Sequence, residues 1–278
     1  MDNILDIFYE HSKNDKLLTR EAIKKILDII LNELNLENKI TYSLSTDEIF
    51  DISNIWNINV LAEFDMDSII YIYYLELLKS INKKKYRTKF DKNYNLTDND
   101  MSFKKNILIL ETIFHEIEHV KQLEIVKDIY SDTIEAIIYR YEYDFFYSEL
   151  EEEYESNISY YLNVFKQNII ELTTYNISFM ERMANINSFK EMYNLLYKLG
   201  NNYSNLYNIE KDILDDYIIK YYSTDLNGPT TKFINKIGYM EEFYECNYPN
   251  IIDKMSLEER LKYGFKITNE EYKKKVKK

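Results

Sequence analysis

The stretch ILILETIFHEIEHVKQLEIVK, residues 107–127, carries the strongest structural signal in the chain. Apolar residues recur at three- and four-residue steps, as in Ile109, Ile113, Ile117 and Val120, and neither Gly nor Pro interrupts them. Such spacing is typical of an α-helix that buries one face. We therefore predict a buried helix here and interpret the rest of the sequence around it.

The same stretch contains a His-Glu-x-x-His motif, with His115, Glu116 and His119 in its defining positions. Residues four apart lie one above the other on a helix, so both imidazoles should face one point. Two such histidines hold a metal in zinc hydrolases, where the intervening glutamate takes a proton from water. Glu118 is expected on another face, either in a structural role or as a group that supports a metal ligand. Because the chain has only 3 histidines, a chance motif on a purely structural helix is the weaker alternative.

Composition is that of a folded protein: 45% of the 278 residues are hydrophobic and 30% are charged. Only 4 Gly and 2 Pro are available to interrupt helices. The formal net charge of −13 disfavours direct binding to nucleic acid, which normally needs a basic surface. With acidic residues at the N-terminus, no apolar run long enough for a membrane span and a single cysteine, Cys246, we expect a cytoplasmic protein without membrane contact.

Helical and alternating patterns surround the motif. Thr19 is placed to cap one helix, Asp65 to Asp67 to connect a hairpin, Gly200 to end a helix, and Ser256 with Glu259 to form a capping box. Residues 83–100 read as a polar loop. Residues 3–9 form a short apolar-periodic segment. The predicted helices are 19–35, 75–81, 107–127, 130–146, 169–186, 189–199, 209–222 and 256–263, and the predicted strands are 39–44, 58–64 and 68–73.

The order helix, strands, motif helix resembles the zincin metallopeptidases, specifically the compact gluzincin-like and ImmA/IrrE-like proteins. The resemblance covers about residues 58–165 and its specific part is the five-residue motif. It implies an α+β, mostly α-helical fold in which a small antiparallel sheet packs on the motif helix and an edge strand holds an extended peptide. We expect a zincin-like core over residues 1–172 and a helical C-terminal region over 173–278.

The resemblance also implies a third zinc ligand on a later helix: a glutamate followed four residues on by Asp or Asn, with a small residue before the latter. Glu153 fits this pattern, with Ser156 as the small residue and Asn157 as the polar one. Glu149, Glu152 and Glu155 remain alternatives, since the acidic cluster matches several frames. The expected zinc ligands are His115, His119 and Glu153, with Glu116 as the catalytic base.

These expectations describe a zinc-dependent peptidase that acts on a protein or peptide substrate. Another class of function stays open: a zincin-fold protein that sequesters a partner through its acidic surface, with the metal structural or absent.

Overall fold

The computed structural model describes residues 2–14, 16–45, 62–65, 68–74, 98–146, 179–203, 255–257 and 259–260. Five long helices lie within these ranges: α1 (Asp2–Ser12), α2 (Arg20–Glu33), α3 (Asp98–Lys127), α4 (Ile134–Phe146) and α5 (Phe179–Tyr203). Three strands lie there too: β1 (Thr41–Ser45), β2 (Ala62–Asp65) and β3 (Ile69–Tyr73). The described part of the protein is therefore mostly helical with one small sheet, as predicted.

The helix predicted to follow Thr19 is confirmed. The Thr19 hydroxyl accepts a hydrogen bond from the backbone N–H of Ala22 at 3.2 Å, which satisfies one of the donors left free at a helix N-terminus. The apolar face of α2 is fully buried at Ile23 and Ile26, because these residues recur at helical spacing.

The sheet has the order β1-β3-β2. The predicted hairpin is confirmed, since β2 and β3 pair antiparallel with Ala62 opposite Ile72. The expectation of an antiparallel sheet is wrong for β1, which pairs parallel with β3 from Thr41 opposite Ile69 to Ser45 opposite Tyr73. Parallel neighbours need a crossover connection rather than a tight turn, and β2 lies between β1 and β3 in the sequence.

One hydrophobic core contains the sheet and the motif helix. Ile70 and Ile72 of β3 are fully buried together with Ile109 and Ile113 of α3. The predicted apolar stripe of α3 is confirmed by this burial. Asn106 of α3 is also fully buried, where its amide accepts from Leu18 N–H at 2.7 Å and ties the segment after α1 to α3. Burial of this amide is tolerated because its polar atoms are hydrogen-bonded.

Two predicted helix starts need correction. α3 begins at Asp98, so the polar loop expected up to residue 100 ends earlier. α4 begins at Ile134 rather than at residue 130, because the Thr133 hydroxyl accepts from Ala136 N–H at 3.2 Å and caps the helix there. The sequence approach missed this cap because apolar periodicity extends to both sides of it.

The predicted break before Phe189 and the predicted end at Gly200 are both wrong. α5 is one helix from Phe179 to Tyr203. A glycine inside a helix costs about 1 kcal/mol relative to alanine. Burial of Leu195, Leu196 and Leu199 offsets that cost, because each of these side chains is almost completely removed from water.

The chain divides into two compact units. The first comprises residues 1–120 and 187–218 and contains α1, α2 and the sheet; the second comprises 121–186 and 219–278 and contains α4. The division falls inside α3 and inside α5, so each of these helices belongs to both units. The predicted domain boundary at residues 172–173 lies outside the described residues and remains a prediction.

Near the C-terminus the predicted capping box is confirmed. Ser256 N–H donates to the Glu259 carboxylate at 2.7 Å, and Glu259 N–H donates to the Ser256 hydroxyl at 3.2 Å. The predicted helices 75–81 and 209–222 and Cys246 lie outside the described residues. Among the residues described, none of the helices combines the length and the apolar character that crossing a membrane requires.

Candidate metal site

The two motif histidines lie on adjacent turns of α3. Their ring centroids are 4.7 Å apart with the ring planes at 85°, and their Nε2 atoms are 3.1 Å apart. Both side chains are half-buried. The predicted convergence of the two imidazoles is confirmed. The third histidine, His11, is occupied elsewhere, with its Nδ1 2.9 Å from the carbonyl oxygen of Ile7 in α1.

The two glutamates of the motif are both buried. Glu116, next to His115, is 5% exposed, and Glu118 is 7% exposed. Glu118 accepts a hydrogen bond from the side-chain amide of Asn187 on α5 at 2.9 Å. A buried carboxylate needs hydrogen-bond donors to offset its lost hydration, and Asn187 supplies one of them.

A carboxylate from α5 joins the two imidazoles. One ligand atom each from His115, His119 and Glu181 lie within 4.8 Å of one another, and all three side chains are half-buried. Packing of α3 against α5 produces this arrangement. Two hydrogen bonds lie on either side of it: Asn187 to Glu118, and the Gln122 amide to the Met180 carbonyl at 2.8 Å.

The types of donor, and the spacing of the two histidine nitrogens, are compatible with a zinc ion. Zinc favours imidazole nitrogen and carboxylate oxygen at about 2.0–2.2 Å, and catalytic zinc takes three protein ligands in a tetrahedral set. Two nitrogens of such a set lie about 3.3 Å apart. The 3.1 Å between the His115 and His119 Nε2 atoms needs only a small side-chain adjustment to match. Two histidines and one carboxylate are also the ligand set of known zinc peptidases.

The predicted third ligand, Glu153, lies outside the described residues, as do Glu149, Glu152 and Glu155. Its role therefore remains a prediction. Among the described residues the carboxylate near the histidines is that of Glu181.

Sequence reasoning missed Glu181 although the signal was present. Glu181 is followed by Ala184 and Asn185, which is the same glutamate, small residue and asparagine pattern that favoured Glu153. The Asn185 side-chain amide donates to the Glu181 carbonyl at 3.0 Å, a bond within the helix. The acidic cluster at residues 149–155 is closer to the motif in the sequence, which favoured Glu153 as the predicted third ligand.

The Glu181 segment is fixed at the start of α5. Glu142 of α4 is 3% exposed, and its two carboxylate oxygens accept from the backbone N–H groups of Phe179 and Met180, each at 2.8 Å. These are donors that a helix N-terminus leaves without intrahelical partners. The rings of Tyr139 and Phe179 also pack with centroids 5.4 Å apart. Glu181 thus lies in a first turn whose backbone is held by Glu142.

Comparison of the chain with protein-family models, with curated proteins and with solved structures gave no match. The described part of the protein is a mostly helical fold that carries a candidate His-His-Glu metal site.

Proposed function

We propose that the protein is a zinc-dependent hydrolase that cleaves peptide bonds in a protein or peptide substrate. The observation that carries the proposal is the convergence of His115, His119 and Glu181 on α3 and α5. The motif on α3 supports it, because the glutamate between the two histidines is the group that handles protons in enzymes of this kind.

Each residue of the proposed site has a distinct role. His115 and His119 would bind zinc through neutral imidazole nitrogens and Glu181 through a carboxylate oxygen, with Glu153 as the rival third ligand. Zinc held there would supply Lewis-acid polarisation of a carbonyl group and acidification of a water molecule. Glu116 would accept a proton from that water while oxygen attacks the carbonyl carbon. The same carboxyl group would then give the proton to the leaving amine nitrogen as the C–N bond breaks.

The substrate class rests on the resemblance to zincin peptidases rather than on a visible substrate groove. A partly open site suits a polymeric substrate, and the three proposed ligands are half-buried rather than enclosed. Among the described strands, β1 and β2 are the edges of the small sheet, and an edge strand is where an extended peptide could add.

The test compares the wild type with Glu116→Gln, using purified full-length protein, a mixed peptide library and mass spectrometry of products. We expect the variant to keep its zinc and to lose about 100- to 10,000-fold in cleavage rate, the usual contribution of a general acid–base. Glu124→Gln is the matched control on the same helix, since Glu124 is partly exposed and pairs with Lys127 at 3.7 Å. Equal cleavage by wild type and Glu116→Gln at equal zinc content would refute the proposed base.

The rival function is sequestration of a partner by an acidic protein, and the net charge of −13 favours it. A wild type that carries zinc, cleaves no member of the library and forms a stoichiometric complex with a basic protein would support this alternative. Zinc-dependent cleavage lost on chelation and restored by zinc would exclude it.

A further inference from the structure

The start of α5 is held by side chains from two other helices. The Glu142 carboxylate on α4 accepts from Met180 N–H, and the Gln122 amide on α3 donates to Met180 C=O, both at 2.8 Å. Both backbone polar groups of Met180 are thus hydrogen-bonded to side chains of other helices. The next residue is Glu181, the carboxylate that approaches the histidines.

Gln122 shares the helix that carries the two histidines. It follows His119 by three residues, a spacing that places both on neighbouring turns of one face of α3. The bond from Gln122 to Met180 therefore fixes the start of α5 against the histidine-bearing face. Gln122 is 3% exposed, and the bond to Met180 satisfies one of the donors of its buried amide.

Glu142 makes the second contact that holds the start of α5. Its carboxylate is nearly inaccessible to water, and burying a charge is costly unless hydrogen bonds and a favourable field offset the cost. Two backbone N–H donors and the positive end of the α5 dipole supply both. α4 is itself anchored, because the Arg140 guanidinium donates to the carbonyl oxygens of Asp128 and Ser131.

We infer that Glu142 and Gln122 are positioning residues of the metal site: they hold Met180 so that the Glu181 carboxylate reaches the ion bound by His115 and His119. This inference rests on the proposed function, because it assumes that the site binds zinc. Neither residue contacts the ion; each acts through the backbone next to Glu181.

The experiment measures zinc affinity of the full-length chain by competition with a chromophoric chelator, in the wild type and in Glu142→Gln. Groups that orient metal ligands typically contribute about 10- to 100-fold to metal affinity, and we expect a loss in this range. Asp132→Asn is the control, since Asp132 lies just before the same helix and is exposed. Its affinity should equal that of the wild type.

A double-mutant cycle separates positioning from general destabilisation. If Glu142 acts through Glu181, then Glu142→Gln should cause no further loss of zinc affinity in a Glu181→Gln background. The visible absorption of the cobalt-substituted protein should change in the same way in Glu142→Gln and in Glu181→Gln. Equal affinity of wild type and Glu142→Gln, or full additivity of the two losses, would overturn the inference.

If Glu142→Gln fails to fold, the same zinc-affinity measurement is made on Gln122→Met. This substitution preserves side-chain length, removes the donor to Met180 C=O, and should weaken zinc binding only when Glu181 is present. Loss of affinity that is independent of Glu181 would again overturn the inference. A wild type that binds no zinc at all would instead refute the proposed function, so the two failures are distinguishable.

Discussion

The candidate site consists of two segments that depend on different forces. Residues 115–119 of α3 bring their two imidazoles together through helical geometry alone, because the rings are one turn apart. Residues 181–185 of α5 arrive by tertiary contacts: Glu142 and Gln122 hold the start of the helix. One half of the site is therefore local and the other half is assembled by packing. A mutation that loosens packing should disturb the second half first.

The largest effect is expected from removing a local ligand. His119→Ala leaves a single imidazole, so zinc affinity should fall by more than about 100-fold, beyond the range seen for groups that only orient ligands. Competition with a chromophoric chelator measures this. His11→Ala is the control, because His11 contacts a carbonyl oxygen within α1. If His119→Ala retained wild-type affinity, the local half of the site would not exist.

Two substitutions decide which carboxylate completes the set. Glu181→Gln should weaken zinc binding at least about 10-fold, and no less than Glu142→Gln does, whereas Glu153→Gln should leave it unchanged if Glu181 is the ligand near the histidines. The same chelator assay ranks them. The reverse ranking would restore Glu153, the residue that the sequence favoured, and would remove α5 from the ligand set.

A smaller effect should follow from weakening the helix pair away from the ligands. Asn187→Ala removes the amide that donates to the buried Glu118 carboxylate, and a buried group that loses its partner costs about 1–3 kcal/mol. Urea unfolding of the metal-free protein measures the loss. Asn194→Ala, at an exposed position of the same helix, should change the free energy of unfolding by less than about 0.5 kcal/mol. Equal stability of the two variants would show that this contact contributes nothing.

The smallest expected effect is on the pH dependence of stability, and it arises at Tyr42 of β1, outside α3 and α5. Burial, assisted by the hydrogen bond to Asp28, raises the pKa of Tyr42 to about 12. The neutral phenol is thus favoured in the folded state, so its stabilisation is complete below the unfolded pKa of about 10 and is lost as pH rises from 10 to 12. Tyr42→Phe should remove that part of the pH dependence in urea unfolding at pH 9 to 12. An unchanged slope would contradict the assignment.

The local half of the site could be predicted from sequence because histidine is rare in this chain and helical spacing is decisive. The rarity of histidine singled out His115 and His119, and the helical spacing predicted the buried stripe through Ile113. The third ligand could not be chosen in the same way, because 48 acidic residues offer many matches and the choice depends on which helix packs against α3. Glu181 and Glu153 have the same local pattern; the structure brings the Glu181 carboxylate near the histidines, and Glu153 lies outside the described residues.

The fold shows the same limit. The hairpin of β2 and β3 was predictable, because a short connection joins two alternating runs. The parallel pairing of β1 with β3 was not, since it depends on the path of the intervening chain. The end predicted at Gly200 failed for a related reason: Leu195, Leu196 and Leu199, which precede it, are buried, and α5 continues past it to Tyr203.

Metal analysis of the full-length protein, purified without added metal and without chelators, tests the account most directly. Mass spectrometry of the elements should find about one zinc per chain in the wild type, and X-ray absorption at the zinc edge should show imidazole nitrogens with carboxylate or water oxygens. A double variant of His115→Ala and His119→Ala should carry none. Wild-type protein without bound zinc, and unable to bind added zinc, would contradict the central claim.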